Sequence, residues 1–338
     1  MENFVSIIIP VYNEEKFIAK CLDSVLEQDC LRLHQDFGGQ AKDKLEVLVI
    51  DGMSKDKSKG IITSYAKKHP FIKLLENPKR ITSCALNIGI KQSKGGIIVR
   101  LDAHTSYGKD YISKCVAYLL KHNADNVGGI ISIIPRENTL MGRGIARSLS
   151  SSFGTGGAIY KTGSENFKEA DTVPFGCFKK EIFEKVGLFN ENLERSQDME
   201  FNLRLKTAGG KIYLFPDIVS YYYVRSNLKD FFIHNLKDGI WAVYPLKFVK
   251  KFFKPRHYAP LVFVSGLLFL FVLGLLLRPF LYLFVAVLAL YLSMMFYFSA
   301  KIAIREKKYE FLVSLPLAFV TRHFGYGIGS IIGLLKLL

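Results

Sequence analysis

The chain is short of the features that mark secreted, metal-scaffolded or nicotinamide-using proteins. Its five cysteines, Cys21, Cys30, Cys84, Cys115 and Cys177, are scattered and odd in number, with no C-x-x-C and no Cys/His cluster. That excludes a disulfide framework and implies reduced thiols in a cytosol-facing domain. No basic n-region or small-residue cleavage site precedes the first apolar run, Val5 to Ile9, so no signal peptide is expected. No G-x-G-x-x-G follows that run and no G-x-x-x-x-G-K-[ST] occurs, which disfavours a nicotinamide dehydrogenase and a P-loop phosphatase. Acid is scarce beside base, 30 Asp and Glu against 46 Lys and Arg, for a formal charge of +16. A balance of that kind suits nucleic acid, an anionic membrane surface or an anionic small substrate. Much of the excess, Lys247, Lys250, Lys251, Lys254 and Arg256, is interleaved with Phe248, Phe252 and Phe253, which fits a membrane interface. No RNA-binding or zinc-finger signature supports nucleic acid.

What is present divides unevenly along the 338 residues. From Met1 to about Tyr223 the polarity is mixed, as in a globular domain, whereas Ala259 onward is dominated by Leu, Phe, Val and Gly. In the first part short β-branched runs alternate with amphipathic stretches. Strands are expected at Val5 to Ile9, Leu45 to Ile50, Phe71 to Leu75 and Ile97 to Leu101. Helices follow Asn13, which caps the first, and occupy Lys57 to Lys68 and Thr82 to Gln92. Cys30 to Lys44, with Gly38-Gly39, reads as a surface loop. This βαβαβαβ order implies a mostly parallel sheet with right-handed crossovers, an α/β fold.

Three of the strands end on polar residues: Tyr12-Asn13-Glu14, Asp51 to Asp56, and Asp102 with His104. In open α/β sheets the carboxyl edge is where ligands bind. A carboxylate there, with a histidine two residues on, can hold a divalent cation against a diphosphate. The competing reading of an isolated D-x-H is a turn aspartate beside a surface histidine, and that of Asp51 is a helix-capping turn. Lys79 and Arg80 stand ready for phosphates, or else are solvated. Further on, a helix is expected at Lys109 to Lys121 and a strand at Val127 to Ile134. Arg136 to Glu165, rich in glycine and serine, reads as a mobile loop, either closing over substrate or simply disordered. Thr172 to Phe178 is extended, Lys179 to Val186 is a short helix, and Asp198 lies in the first turn of a helix opened by Ser196-Gln197. An acid there is either catalytic or a complement to the helix dipole.

These pieces, VSIIIPVYNEE, VLVIDGMSKDKS, LNIGI, VRLDAH, VPFGCFKKEIFEKVGLFNE and QDMEFNLRLKTAGG, resemble the family-2 inverting glycosyltransferases of GT-A fold over Val5 to Tyr223. Within that family the chain is most similar to membrane-bound enzymes of the succinoglycan-biosynthesis type, which carry D-A-H where most relatives carry D-x-D. The resemblance implies that Asp51 and Asp102 bind a nucleoside-diphosphate sugar, with Pro10, Tyr12, Asn13, Glu14, Ser54, Lys79 and Arg80 around it. It implies Mg²⁺ or Mn²⁺ on Asp102 and His104, and Asp198 as catalytic base. Gln197 replaces the first acid of the usual pair. Arg204 or Arg225 would help hold the departing phosphate, or Arg204 would be an ion-pairing helix residue.

The apolar tail gives expected membrane segments at about 259–277, 279–300 and 311–335, after interfacial amphipathic helices over 226–258 and a catalytic domain over 1–225. Basic Lys301 to Lys308 and the basic stretch before Tyr258, against the lone Arg278, place the catalytic domain in the cytoplasm of a multi-pass membrane protein. Gly325, Gly329 and Gly333 suit close helix packing. Arg322-His323, inside the third segment, either meets a lipid diphosphate or snorkels from a shallow span. The whole reads as a glycosyltransferase acting on a lipid-linked, polyprenyl-type acceptor in polysaccharide or glycan assembly. Its rivals are a processive synthase, disfavoured by the absence of Q-x-x-R-W, and a catalytically inactive sugar-nucleotide-binding scaffold.

Overall fold

The computed structural model describes residues 4–32, 45–249 and 253–337. The expected surface loop therefore lies outside the described residues over 33–44, as do Lys250, Lys251 and Phe252 of the basic, aromatic stretch. In chain order the elements are β1 (Val5–Val11), α1 (Ile18–Leu26), α2 (Asp29–Arg32), β2 (Leu45–Asp51), α3 (Ser58–Lys68), β3 (Ile72–Glu76), α4 (Thr82–Gln92) and β4 (Ile97–Arg100). There follow β5 (Thr105–Tyr107), α5 (Tyr111–Lys121), β6 (Asn126–Pro135), α6 (Leu140–Leu149), α7 (Ser152–Thr155) and α8 (Ile159–Thr162). The chain goes on through β7 (Lys168–Glu169), β8 (Cys177–Lys179), α9 (Glu181–Val186), α10 (Gln197–Thr207) and β9 (Ile212–Val224). It closes with α11 (Leu228–Val243), α12 (Ala259–Gly274), α13 (Arg278–Glu306) and α14 (Phe311–Leu335). Two compact units result, Met1–Ser132 with Gly163–Tyr222, and Ile133–Thr162 with Tyr223–Leu338.

The first unit is built on a sheet ordered β3-β2-β1-β4-β8-β6-β9-β5, with β7 on β9. Its parallel block follows from the apolar runs, which bury both faces and leave no alternation to read. β1 pairs with β2 from Val5↔Leu45 to Val11↔Asp51 and with β4 from Val5↔Ile97 to Ile8↔Arg100. β8 then runs antiparallel to both β4 and β6, and β5 and β7 run antiparallel to β9, so the sheet is mixed rather than mostly parallel throughout. Because β1, β2 and β4 point the same way, the residues after Val11, Asp51 and Arg100 emerge at one edge.

The second unit is helical, and it corrects the expected mobile loop over Arg136 to Glu165, which holds α6, α7 and α8. The glycines that suggested mobility serve close contact instead. A Cβ on Gly144 of α6 would lie 2.5 Å from the Ser314 Cβ of α14, so only glycine lets those helices touch. Two ion pairs secure the same contact, Arg143 with Glu310 at 2.8 Å and Arg147 with Glu306. α14 runs unbroken through Pro316 and Arg322-His323. Its Gly329 lies where a Cβ would stand 2.0 Å from the Leu236 carbonyl oxygen, and Gly239 of α11 is equally close to the Tyr326 carbonyl oxygen. Thus α11, expected as an interfacial helix, is packed backbone to backbone against α14.

α13 and α14 are long and apolar enough to cross a membrane. α12 stops at Gly274, short of the expected Leu277, and its 16 residues reach about 24 Å, less than a bilayer core of about 30 Å. Along α12 and α13 Val262, Phe269, Val272, Tyr282, Leu290 and Phe296 are exposed.

Candidate active site

The loops leaving β1 and β2 are laced together by hydrogen bonds that use up their backbone. Gly52 N–H donates to the Val11 carbonyl (2.7 Å), Asn13 N–H to Ser54 Oγ (2.9 Å) and Lys55 N–H to Asn13 Oδ1 (2.9 Å). Glu14 N–H donates to Ser58 Oγ (2.8 Å) and Glu15 N–H to Asp56 Oδ2 (3.0 Å). Asn13 and Met53 hold left-handed backbone conformations, φ 55° and 60°, which such cross-bracing sustains. Asn13 therefore does not cap a helix as expected; α1 starts only at Ile18, after Phe17. Pro10 lies within β1 opposite Ile50, and Tyr12 projects from the edge.

Asp51, the last residue of β2, is wholly buried. Its Oδ2 accepts from Ser54 N–H at 3.0 Å, while Oδ1 has no hydrogen-bond partner among the described residues. A buried carboxylate oxygen left so is costly, about 1–3 kcal/mol or more. It is the kind of acceptor that a bound base or ribose would satisfy.

The second group of acids converges on a residue that sequence reasoning missed. Arg100 ends β4 and is buried; its Nη2 donates to Asp102 Oδ1 at 3.1 Å, and its Nη1 contacts Asp198 Oδ1. Burial opposes the guanidinium charge, but Asp198 and Asp102 outweigh it and hold Arg100 firmly protonated. Asp102 comes from the end of β4 and Asp198 from the first turn of α10, so one side chain joins acids 96 positions apart in the numbering. The Asp102 backbone is fixed as well: its N–H donates to the Tyr107 hydroxyl (2.7 Å), and its carbonyl accepts from Thr105 N–H (3.2 Å). Ser196, which precedes α10, is left-handed at φ 62°, and Gln197 is buried with Oε1 unpartnered among the described residues. The signal for Arg100 was a charge inside a run otherwise fit for burial, two residues before an acid.

His104 points its Nδ1 at Glu14 Oε1, 3.1 Å away, and its ring meets Tyr222 edge-on at 5.1 Å. Glu14 is thus a partner for His104. A carboxylate on one imidazole nitrogen fixes the ring and leaves Nε2 for a ligand, the arrangement common behind metal-bound histidine. Among the described residues no group of three or more His, Cys, Asp or Glu could cage a metal. Asp102 nevertheless keeps Oδ2 outside its bond to Arg100. One carboxylate oxygen and one imidazole fit a cation that draws its other ligands from a diphosphate and water.

Other expected contacts lie elsewhere. Lys79 pairs with Glu191 at 2.7 Å, and with Asn87 it draws the Glu191 carboxyl down to about 2. Arg80 is exposed with a left-handed backbone, φ 60°. Arg204 is a correction: it grips Glu200 through Nε (2.6 Å) and Nη2 (2.9 Å) and donates to the Val186 and Leu188 carbonyls. With every N–H-bearing nitrogen so engaged, it ties α10 to the turn after α9 and is not placed to hold phosphate. Arg225 is half-buried in the helical unit. Arg322 donates to the Gly154 carbonyl and to Asn235 Oδ1 (2.8 Å), and His323 spans Tyr291 Oη (3.1 Å) and the Phe153 carbonyl (3.0 Å). Both nitrogens of that imidazole are engaged inside the helical unit.

Comparison with known proteins identifies the family and the fold. The family described as Glycosyl transferase family 2 matches residues 6–187, and that described as Glycosyl transferase family group 2 matches residues 97–299. The chain is 33% identical over 339 residues to the dolichyl N-acetyl-alpha-D-glucosaminyl phosphate 3-beta-D-2,3-diacetamido-2,3-dideoxy-beta-D-glucuronosyltransferase of Methanococcus voltae, spanning 99% of this chain and 98% of that protein. It is 29% identical over 217 residues to the succinoglycan biosynthesis protein ExoA of Rhizobium meliloti (strain 1021), 59% of this chain and 65% of that one. A similar solved structure is mannosyltransferase PcManGT from Pyrobaculum calidifontis in complex with GDP-Man and Mn2+. It has a TM-score of 0.59 at 19% identity, over 99% of this chain and 88% of that one, a likeness of fold.

Proposed function

The chain belongs to glycosyl transferase family 2 and is a glycosyltransferase of GT-A fold; from that premise we propose that it moves one sugar from a nucleoside-diphosphate sugar to a lipid-linked, polyprenyl-type acceptor, inverting the anomeric centre. The observation that carries this reading is Arg100 held between Asp102 and Asp198, which supports one reaction centre at the carboxyl edge of the sheet. The lipid acceptor is supported by the full-length similarity to a transferase whose name specifies a dolichyl phosphate, and by the exposed apolar surface of α12 and α13.

Asp51, with one buried oxygen unpartnered, receives donors of the base or ribose. Tyr12 covers them from the next loop, with Asn13 and Ser54 keeping the two loops in register. Asp102 and His104 would hold Mg²⁺ or Mn²⁺, which when bound neutralises the diphosphate. Glu14 orients His104, and Arg100 keeps Asp198 beside Asp102. Asp198 accepts the proton of the acceptor hydroxyl as that oxygen attacks the anomeric carbon opposite the departing nucleoside diphosphate. Gln197, next to the base, has a buried amide oxygen with no partner among the described residues, which an acceptor hydroxyl would satisfy. α13 and α14 anchor the enzyme in the membrane, with the sheet unit on the cytoplasmic side.

Replacing the base tests the mechanism. Asp198→Asn should lower transfer by at least about 10²-fold, the low end for losing a general base, while nucleoside-diphosphate affinity stays within a few-fold. Transfer near the wild-type rate would remove Asp198 from the chemistry and favour a scaffold role.

A further inference from the structure

α14 is long and apolar enough to cross a membrane, yet charged or irregular chain packs along it from end to end. At its start Glu310 takes Arg143 of α6 at 2.8 Å, and Glu306, the last residue of α13, pairs with Arg147. Midway along, Arg322 donates to the Gly154 carbonyl and to Asn235 Oδ1 (2.8 Å). Beside it His323 meets the Phe153 carbonyl at 3.0 Å and Tyr291 Oη at 3.1 Å. Those two carbonyls belong to α7, a helix of only four residues that ends on Gly156 in the left-handed region, φ 59°. Short, irregular backbone of that kind is not found bare in hydrocarbon, because its polar groups meet no partner there.

The second half of α14 runs beside α11, and the contacts give the direction. A Cβ at Gly325, Gly329 or Gly333 would meet Asn235, Leu236 or Ile240 in turn, at 3.3, 2.0 and 2.7 Å, and Ser330 Oγ donates to the Gly239 carbonyl at 3.2 Å. The numbers rise together, so the two helices are parallel. α11 carries Lys229, Asp230 and Lys237 exposed on its outer side, and exposed Lys247 follows it. Were the last turns of α14 to cross a bilayer, α11 would cross beside them and take those charges through the hydrocarbon. The basic residues Lys247, Lys254 and Arg256 would then emerge on the far face, against the bias that keeps such residues on the cytoplasmic one.

What α14 leaves open is one stripe. Val313, Leu317, Ile328 and Leu335 are exposed and share a face at helical spacing, while Ser314, Ala318, Gly325 and Gly329 on its other sides are buried. Exposed lysines stand at both ends, Lys307 and Lys308 before the helix and Lys336 after it. A crossing helix would put one of those ends on the far face. An apolar stripe between cations suits a helix lying in the headgroup layer, its stripe on acyl chains and its lysines against anionic lipid. We propose that α14 does not cross the membrane but lies along its cytoplasmic surface, with Val313, Leu317, Ile328 and Leu335 set into the lipid and Lys336 on the same side as Lys308. This rests on the reading that the helical unit is anchored in a membrane, and it leaves α13 as the long helix that crosses.

The full chain carrying Cys30→Ser, its other four cysteines being buried, tests the placement in membrane vesicles. Nitroxides attached through Val313→Cys and through Ile328→Cys, 15 residues apart, should report the same immersion depth against oxygen and a nickel chelate. A helix standing across the bilayer would separate them by about 22 Å. Depths that differ by more than half of that span overturn the proposal. An impermeant maleimide should also label Lys336→Cys in inside-out vesicles, as it labels Lys308→Cys. Labelling of Lys336→Cys only in right-side-out vesicles, or only after detergent, overturns it as well. If Arg278→Cys and Lys308→Cys are labelled from one side, it is the membrane anchoring through α13 that fails, whatever Lys336→Cys does.

Discussion

At the scale of the residue, the site depends on what a buried guanidinium does to two carboxylates. Asp102 and Asp198 would repel each other without Arg100, and a buried cation would be costly without them. Removing one partner of such a set costs about 3–5 kcal/mol because the remainder is left uncompensated. Arg100→Met should therefore lower kcat/KM by about 10²-fold or more, and Arg100→Lys should recover only part, since an ammonium cannot present the same planar fork. Wild-type kinetics for Arg100→Met would detach it from the reaction. The acids were legible from the chain alone, because a carboxylate that ends an apolar strand or opens a helix has a position fixed by its element. Arg100 was not, because the strand pattern around it describes burial and gives a charge there no partner. Lys79, after a strand, and Arg204, within a helix, show the converse: a basic side chain reads the same whether it meets a ligand or, as here, Glu191 and Glu200. Only the tertiary contact separates the two.

At the scale of the element, the parallel block was readable to within a residue or two, since β-branched runs stopped by polar turns have few other solutions. The stretch from Arg136 to Glu165 was not, because glycine and serine describe a loop and a tight helix contact equally well. The distinction lies in what faces each glycine, and that is tertiary. Gly329 makes it measurable. Alanine is the better helix former by about 1 kcal/mol, so Gly329→Ala would stabilise a free helix. Against the Leu236 carbonyl, 2.0 Å from the new Cβ, it should instead lower the thermal midpoint by several degrees. Gly266→Ala in α12, with nothing within 4 Å, should leave that midpoint unchanged or higher. Equal behaviour of the two variants would mean that α11 and α14 are not in backbone contact.

At the scale of the whole molecule, the sequence separated a mixed-polarity part from an apolar one. It drew that line as a single cut near Tyr223, where the chain instead sends Ile133–Thr162 to the helical unit. Hydropathy runs along the chain, and three helices inserted between two strands leave no mark in it. The proposed membrane anchoring turns the charge pattern around α13 into a prediction: Arg278 at its start and Lys308 just past its end should lie on opposite faces of the membrane. In a Cys30→Ser background, the other four cysteines being buried, an impermeant maleimide should label Lys308→Cys but not Arg278→Cys in inside-out vesicles. Labelling of both from one side would fold α13 back on itself. The central claim, transfer of one sugar from a nucleotide to a lipid, is met most directly by vesicles holding only this protein, a panel of labelled nucleotide sugars and polyprenyl-phosphate-linked acceptors. The account predicts that one nucleotide sugar carries label into the organic extract as a lipid bearing a single added sugar. Label that stays in water with every acceptor, or that accumulates as polymer, would contradict it.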